Sequence, residues 1–373
     1  MSMRARWALA VALLIVGTDP ALPHAAAAAA PRLAGTGSAS PEDSASVRVE
    51  MQRQAPALLA LVRSPVARAF LDAVPSLPRI EPRTVYQDSA RTRCWNAAEA
   101  AALPDSLRAR LVPRTLDESF YYYTRYGSPL AYARALDLAA EYGLSAVGGR
   151  RIADFGYGTI GHLRLLASLG ADVVGIDVDP LLRALYSAAG DQGEIAVWGP
   201  PPDPRAPTVR RNGRITLLTG RFPAEPEIVA AAGENYDLFL SKNTLKRGYI
   251  HPEQHVDPRR LVHLGVDDTT FVRNVNRLLK PGGLVVLYNL SPAPNAPGKP
   301  YLPWADGRCP FPPSLWEALG FQVLVYDRED HAAARRLGHA LGWDRGPEAM
   351  DLDNDLFAHY SIFRKAGGAR TDQ

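Results

Sequence analysis

The 373-residue chain has few cysteines, almost no excess charge of either sign, and only one pronounced apolar run. Its two cysteines, Cys94 and Cys309, are too few for a disulfide scaffold or a cysteine-rich zinc module, and they can form at most one bridge. The 42 Lys and Arg residues exceed the 39 Asp and Glu residues by only three, so the basic footprint of a nucleic-acid-binding protein is missing. An apolar content of 47% still provides for a sizeable core, and we expect a small-molecule partner rather than nucleic acid.

The apolar run lies at the N-terminus, and residues 1–30 have the layout of a signal peptide. Arg4 and Arg6 precede the run Trp7–Val16, and small residues follow at 25–30. The run is shorter than the ~20 residues of a membrane-spanning helix. We therefore expect cleavage, no stable membrane span, and a periplasmic or secreted protein. Two alternatives stay open: an uncleaved anchor, or translation from Met51, which would leave the protein in the cytoplasm.

The rest of the chain divides by its pattern of apolar residues. Residues 31–48 are rich in Ala, Gly, Ser and Pro and predict a flexible linker, whereas 49–148 have helical spacing and predict a helical N-terminal cap. Strands and helices alternate over 149–366, which predicts an α/β, doubly wound, mostly parallel seven-stranded sheet, followed by a tail over 367–373. The predicted strands are Arg151–Phe155, Ala171–Ile176, Arg214–Leu218, Tyr236–Leu240, Leu284–Tyr288, Phe321–Tyr326 and His359–Phe363.

Prolines concentrate in two stretches, over 199–207 and 291–313. The second stretch follows directly on the fifth predicted strand. Loops that leave the carboxyl ends of parallel strands line the ligand crevice, so we expect this stretch beside a binding site. The first stretch enters a strand and is expected at the opposite edge.

A glycine motif follows the first predicted strand. Its pattern is Asp154-x-Gly156-x-Gly158-x-x-Gly161, and an acid, Asp177, ends the next strand 21 residues after the first glycine. Glycines let the chain turn tightly and let a ligand lie against the backbone. A carboxylate about 20 residues further on suits the vicinal hydroxyls of a ribose. The pattern predicts a nucleoside-bearing ligand.

The charge of Asp154 bears on which ligand this is. A carboxylate at the strand tip would repel a pyrophosphate, but it would attract the ammonium and sulfonium groups of S-adenosylmethionine. With this motif, Gly175-Ile176-Asp177, Tyr236–Leu240 and Leu279-Lys280-Pro281-Gly282-Gly283, residues 150 to about 365 resemble a class I S-adenosylmethionine-dependent methyltransferase. The resemblance implies a Rossmann-like fold and methyl transfer to an O, N or C atom that it leaves open.

The resemblance also implies a set of cofactor contacts. Many members of the family carry an acid after the third strand to hold adenine, whereas this chain has Arg221 and Phe222 there. Two alternatives stay open: one of these residues stacks on the base, or backbone groups hold adenine. The expected cofactor-binding residues are Asp154, Gly156, Gly158, Gly161, Asp177, Val178, Arg221, Phe222, Ser241 and Tyr126.

The acceptor side is expected at the end of the fourth strand and in the loop after the fifth. Asn243 and His251 are the candidate catalytic residues, with His251 as a proton acceptor. The loop after the fifth strand is interpreted as a substrate lid, with a Cys94–Cys309 bridge left open. The candidate substrate-binding residues are Tyr122, Lys242, Lys246, Tyr288, Asn289 and Trp304.

Three other interpretations concern a metal site, a non-catalytic binding module and an oxidoreductase. His251, Glu253, His255 and Asp257 contain possible metal ligands, but the prolines at 252 and 258 interrupt a helix there, and no metal site is expected. A non-catalytic cofactor-binding module of the cell envelope remains an alternative, because the cofactor is made in the cytosol. A nicotinamide-dependent oxidoreductase is the third, and Asp154 argues against it. The oligomeric state is left open.

Overall fold

The computed structural model describes residues 46–123, 127–199, 211–346 and 349–367. The predicted signal peptide, nearly all of the linker, Tyr126, the first proline-rich stretch after its first residue, and the tail after its first residue lie outside the described residues. Within the described ranges, no helix has the length and apolar content needed to cross a membrane.

The described chain contains eleven strands, fourteen α-helices and four short 3₁₀ helices. The strands are β1 Arg83–Gln87, β2 Cys94–Trp95, β3 Val112–Leu116, β4 Arg151–Phe155, β5 Asp172–Asp177, β6 Gly193–Ile195, β7 Gly213–Thr219, β8 Tyr236–Lys242, β9 Leu279–Ser291, β10 Phe321–Glu329 and β11 Phe357–Lys365. The helices are α1 Val47–Leu59, α2 Pro65–Asp72, α3 Ala97–Ala101, α4 Asp105–Arg108, α5 Glu118–Tyr122, α6 Tyr132–Glu141, α7 Gly161–Ser168, α8 Pro180–Leu185, α9 Pro226–Ala232, α10 Arg247–Ile250, α11 Asp268–Leu278, α12 Pro313–Ala318, α13 His331–Ala340 and α14 Leu352–Asp355. The 3₁₀ helices are Val74–Ser76, Pro129–Ala131, Pro258–Arg260 and Pro303–Ala305.

The main sheet has the strand order β10-β11-β9-β8-β4-β5-β7-β6. Its five central strands are parallel, and in chain order they lie third, second, first, fourth, fifth, which is the doubly wound arrangement. β11 inserts antiparallel between β9 and β10. The predicted α/β fold and all seven predicted strands are confirmed. The eighth strand, β6, is a three-residue antiparallel edge that the sequence analysis missed.

Successive residues of the central strands feed two hydrophobic cores. Ile152 of β4 packs in one cluster of buried residues and its neighbour Ala153 packs in the other. Side chains alternate between the faces of a strand, and helices cover both faces of a parallel sheet. This explains why the strands have continuous apolar runs, which made them recognisable in the sequence.

The N-terminal region contains more than helices. β1 pairs antiparallel with both β2 and β3 to form a small sheet that the sequence analysis did not predict. Met51, Phe70 and Val85 of this region are buried in the same cluster as Ile152 of the main sheet. The cap region thus shares the core of one face of the main sheet.

Two local features depend on tertiary contacts. The Pro-Gly-Gly segment after Leu279 lies within β9, which begins at Leu279 and bulges before Leu284, where regular pairing with β8 resumes. Cys94 and Cys309 are both free thiols. They are buried in different hydrophobic clusters, so the possible bridge does not form.

Candidate active site

The glycine turn between β4 and α7 lies at the carboxyl-end edge of the sheet. The amide of Gly156 donates to the carbonyl of Ile176 on β5 at 2.8 Å. Gly156 and Gly158 have φ angles of +75° and +58°, a region that other residues rarely adopt. A Cβ on Gly156 would collide with the side chain of Thr244, which follows β8. The turn therefore requires glycine for its conformation and for the close approach of Thr244.

Asp177 is fixed against this turn. Its Oδ2 accepts a 3.1 Å hydrogen bond from the amide of Gly158, and its Oδ1 accepts a 3.0 Å bond from the amide of Asp179. Burial and the neighbouring charge of Asp179 raise the pKa of Asp177 to about 6. The acid and the glycine turn, which sequence spacing predicted to act together, are in direct contact. Val178, between the two acids, is half-buried.

A buried histidine lies beneath the turn and was not predicted. Asp154 is fully buried, and its Oδ2 is hydrogen-bonded to Nε2 of His162 on α7, while its Oδ1 has no partner in the described chain. The ring of Tyr132 stacks on His162 with centroids 3.6 Å apart. Burial, followed by the charge of Asp154, raises the pKa of Tyr132 well above its usual value. A lone histidine inside an apolar helix carries no sequence signal that would distinguish this pair from ordinary core.

Two buried lysines follow at the end of β8. Burial lowers the pKa of Lys242 to about 8 against the opposing effect of Asp154, and its Nζ lies 5.3 Å from the centre of the Tyr132 ring. Burial and the charge of Lys242 lower the pKa of Lys246 to about 7, and Lys246 donates to the carbonyl of Leu290. Both lysines are predicted residues, and only Lys242 lines the crevice beside the glycine turn.

The crevice is narrow as it stands. It encloses about 40 Å³, which is room for about one water molecule. Its lining residues are Gly127, Ser128, Pro129, Tyr132, Gly156, Tyr157, Gly158, Thr159, Lys242, Asn243 and Thr244. A larger cavity of about 280 Å³ lies at the opposite edge, but its cations Arg150 and Lys280 are paired with Asp237.

The two candidate catalytic residues have other contacts. Asn243 has a φ of +67° and joins two strand ends, because its amide donates to Tyr288 and Asn289 while its Oδ1 accepts from Leu290. His251 is exposed and lies 2.9 Å from Asp268 at the start of α11. The crevice wall does not include His251. Asn243 thus connects the ends of β8 and β9, and His251 lies outside the crevice.

Several expected ligand contacts are instead internal. Tyr122 donates to the carbonyl of Pro78, and Tyr288 donates to Asp330. Asn289 donates to the carbonyls of Leu245 and Gly307. These side chains already use their polar groups to hold loops in place, and their role in substrate binding stays a prediction.

Aromatic residues expected at the ligand are also part of the core. Phe222 is 1% exposed and packs edge-on against Phe155 and Phe271, so its ring is not available to a base. Trp304 is 2% exposed, whereas residues 294–300 of the same loop after β9 are exposed. The part around Trp304 is a packed wall, tied to α10 by backbone hydrogen bonds from Arg247 to Arg308 and from Gly248 to Asp306.

Two other predicted cofactor residues, Ser241 and Arg221, do not line the crevice. Ser241 is fully buried and donates to the carbonyl of Phe155, which links the ends of β8 and β4. Arg221 is half-buried after β7, and the crevice wall does not include it. Sequence reasoning missed several residues of the crevice wall, among them Thr244, Tyr132 and Tyr157. It also missed the buried His162, which stacks on Tyr132.

Comparison with known proteins gives similar structures but no related sequence. No family model and no curated protein matches the chain. A methyltransferase from Mesorhizobium loti described as S-adenosylmethionine dependent is 20% identical with a TM-score of 0.34, covering 62% of this chain and 97% of its own. A SAM dependent methyltransferase from Aquifex aeolicus is 14% identical with a TM-score of 0.30, covering 61% and 88%. The [4+2]-cyclase SpnF is 17% identical with a TM-score of 0.34, covering 63% and 81%.

These structures are too dissimilar from the chain, in sequence and in TM-score, to indicate its activity. The strand order and the glycine turn of the chain itself define its architecture. The chain therefore has a doubly wound, Rossmann-like α/β fold.

Proposed function

We propose that the chain binds S-adenosylmethionine and transfers its methyl group to a small-molecule acceptor. The observation that carries the proposal is the contact between Gly158 and Asp177, which fixes a glycine turn against a strand-end carboxylate at the edge where doubly wound sheets bind ligands. A carboxylate accepts hydrogen bonds from both hydroxyls of a ribose. Glycine backbone beside it allows the close approach of the nucleoside.

The charges around the turn favour this cofactor over a dinucleotide. Asp154 lies beneath the turn and Asp177 beside it, and two carboxylates suit a ligand with ammonium and sulfonium groups. A pyrophosphate would instead need several donors or cations, whereas the crevice wall contains one lysine, Lys242, whose pKa burial lowers to about 8. A nicotinamide dinucleotide, which contains a pyrophosphate, therefore suits this position less well than S-adenosylmethionine.

Lys242 is the group best suited to receive a proton from the acceptor. It lines the crevice at the end of β8, and its pKa of about 8 lies close to physiological pH. A bound sulfonium cation would favour the neutral amine further, because two like charges repel in a buried site. Methyl transfer removes the sulfonium charge, so alignment and exclusion of water are the main tasks of the site.

Cofactor binding requires the crevice to open. A space of about 40 Å³ is far smaller than a nucleoside. Side chains of its wall, among them Thr244 and Tyr132, would have to move. We therefore expect binding to be accompanied by a rearrangement of this wall.

Isothermal titration calorimetry on the purified protein tests the proposal. Saturable binding of S-adenosylmethionine and of its demethylated product, with no binding of NADH, would support it. NADH binding alone would replace it with the oxidoreductase alternative. Binding of the methyl donor without turnover over a panel of thiol, amine and hydroxyl acceptors would favour the non-catalytic module.

A further inference from the structure

We propose that Glu329, His331 and His359 form a site for a divalent transition-metal ion. One nitrogen of each histidine and one carboxylate oxygen lie within 4.8 Å of one another. This is the single group of three potential ligands of that kind within residues 46–123, 127–199, 211–346 and 349–367. The site is separate from the glycine turn, and the inference does not rest on the proposed function.

The backbone brings the three residues together from three elements. Glu329 at the end of β10 and His359 near the start of β11 are opposite each other in the antiparallel pairing. His331 begins α13 two residues after Glu329. Between them lies Asp330. Nε and Nη2 of Arg134 each donate a 2.8 Å hydrogen bond to its carboxylate, and the hydroxyl of Tyr288 also donates to it. The segment that carries two of the ligands is therefore held firmly by side chains of α6 and β9.

The histidines have the hydrogen bonding that metal ligands need. Nδ1 of His331 lies 2.9 Å from the carbonyl of Ala358, and donation to that oxygen leaves Nε2 with a lone pair, 3.7 Å from the carboxylate of Glu329. Metal-binding histidines commonly donate their second ring N–H to such a carbonyl. His359 lies with its ring centre 5.2 Å from that of His331, and its Nδ1 is buried without a partner in the described chain.

The ligand set selects the class of ion. Two imidazoles and one carboxylate suit zinc or ferrous iron, whereas calcium and magnesium prefer oxygen ligands throughout. Bonds of about 2.1 Å require the three atoms to approach somewhat closer than they lie here. Glu329 can supply that movement because its side chain is 72% exposed. Three protein ligands leave a coordination position for water.

One alternative hydrogen-bond arrangement would prevent binding. The amide of Ala358 also lies 3.1 Å from Nδ1 of His331, and if Nδ1 accepts from it, Nε2 keeps its hydrogen and faces Glu329 as a donor. The group would then be a hydrogen-bonded strand junction. The two arrangements are distinguished by whether the protein takes up metal.

Metal titration of the tag-free, chelator-treated full chain tests the inference. We expect one zinc ion per chain by calorimetry, and visible absorption bands of an imidazole-bound ion when cobalt(II) is the probe. His359→Ala and Glu329→Gln should each remove this uptake while leaving the far-ultraviolet circular dichroism unchanged. His251→Ala is the matched control, because it removes a histidine of an exposed His–carboxylate pair elsewhere.

Two results would overturn the inference. One is the absence of stoichiometric uptake of either zinc or cobalt by the unaltered chain. The other is uptake that persists in both variants, which would show that the ion binds at other residues. If His359→Ala fails to fold, Glu329→Gln decides the matter, because its exposed side chain does not support the core.

Discussion

The amide of Gly158 donates a 3.1 Å hydrogen bond to the carboxylate of Asp177. These residues belong to different connections of the fold, one after β4 and the other at the end of β5. The bond fixes the position of the acid relative to the turn before any ligand arrives. A nucleoside that contacts both the turn and the carboxylate would therefore lose little binding free energy to ordering them.

Asp177→Asn should weaken binding of S-adenosylmethionine by about tenfold to a hundredfold. The substitution keeps the shape and one acceptor oxygen but removes the charge, and hydrogen bonds to charged groups contribute about 1.5–3 kcal/mol. Calorimetry measures the change. Asp172→Asn at the opposite end of β5 is the control, because that carboxylate is exposed beside Arg151, and its loss should leave affinity unchanged. Equal affinities for both variants would remove Asp177 from the site.

Gly156→Ala should destabilise the protein more than Gly282→Ala. Both glycines have positive φ angles, and adopting this conformation costs another residue about 1–2 kcal/mol. A Cβ at 282 meets no atom within 4 Å, whereas one at 156 collides with Thr244. Chemical denaturation compares the two. Adding Thr244→Ala should recover part of the loss at 156, and no recovery would mean that strain alone accounts for it.

The affinity for S-adenosylmethionine should rise with pH through about 8. Below this pH Lys242 is charged and repels the sulfonium, and above it the neutral amine does not, so raising the pH removes an unfavourable interaction. We expect about a tenfold gain between pH 7 and pH 9, measured by calorimetry. Lys242→Met should abolish the gain while keeping any pH dependence that comes from the amino group of the ligand itself. A gain of the same size in this variant would contradict the assignment.

Trp304→Ala should lower the free energy of unfolding by about 3–5 kcal/mol, which is typical for removal of a buried tryptophan. The side chain is 2% exposed. Trp198, which is 41% exposed, provides the comparison, and its replacement by alanine should cost about 0.5 kcal/mol or less. A loss of less than about 1 kcal/mol for Trp304→Ala would contradict the packing of this side chain in the core.

The sequence predicted the sheet well because the cause of each strand is local. Parallel strands covered on both faces are continuous apolar runs, and β4, β5 and β8 are of this kind. The motif glycines and Asp177 were found by the same means, since a tight turn and a strand end both depend on short segments. The signal peptide remains a prediction, and N-terminal sequencing of the mature protein would test it.

The contacts of the predicted acceptor-side residues could not be predicted from the sequence, because they join distant segments. Asn243 and Asn289 have the residue types of a binding site, but each amide is used to connect strand ends. Trp304 lies in a proline-rich loop that resembles a lid in sequence, yet it packs into the core. Glu329, His331 and His359 meet only because β11 returns beside β10. None of these relationships has a short-range pattern.

The close packing of Gly248 against Pro303 has a consequence for altering the protein by design. A Cβ at 248 would overlap the carbonyl oxygen of Pro303, so a larger residue at 248 requires a matching change in the segment around Pro303. Variation in this wall would have to exchange both segments together. Selectivity that depends on it would therefore be inherited as a block, and libraries aimed at new acceptors should recombine whole segments.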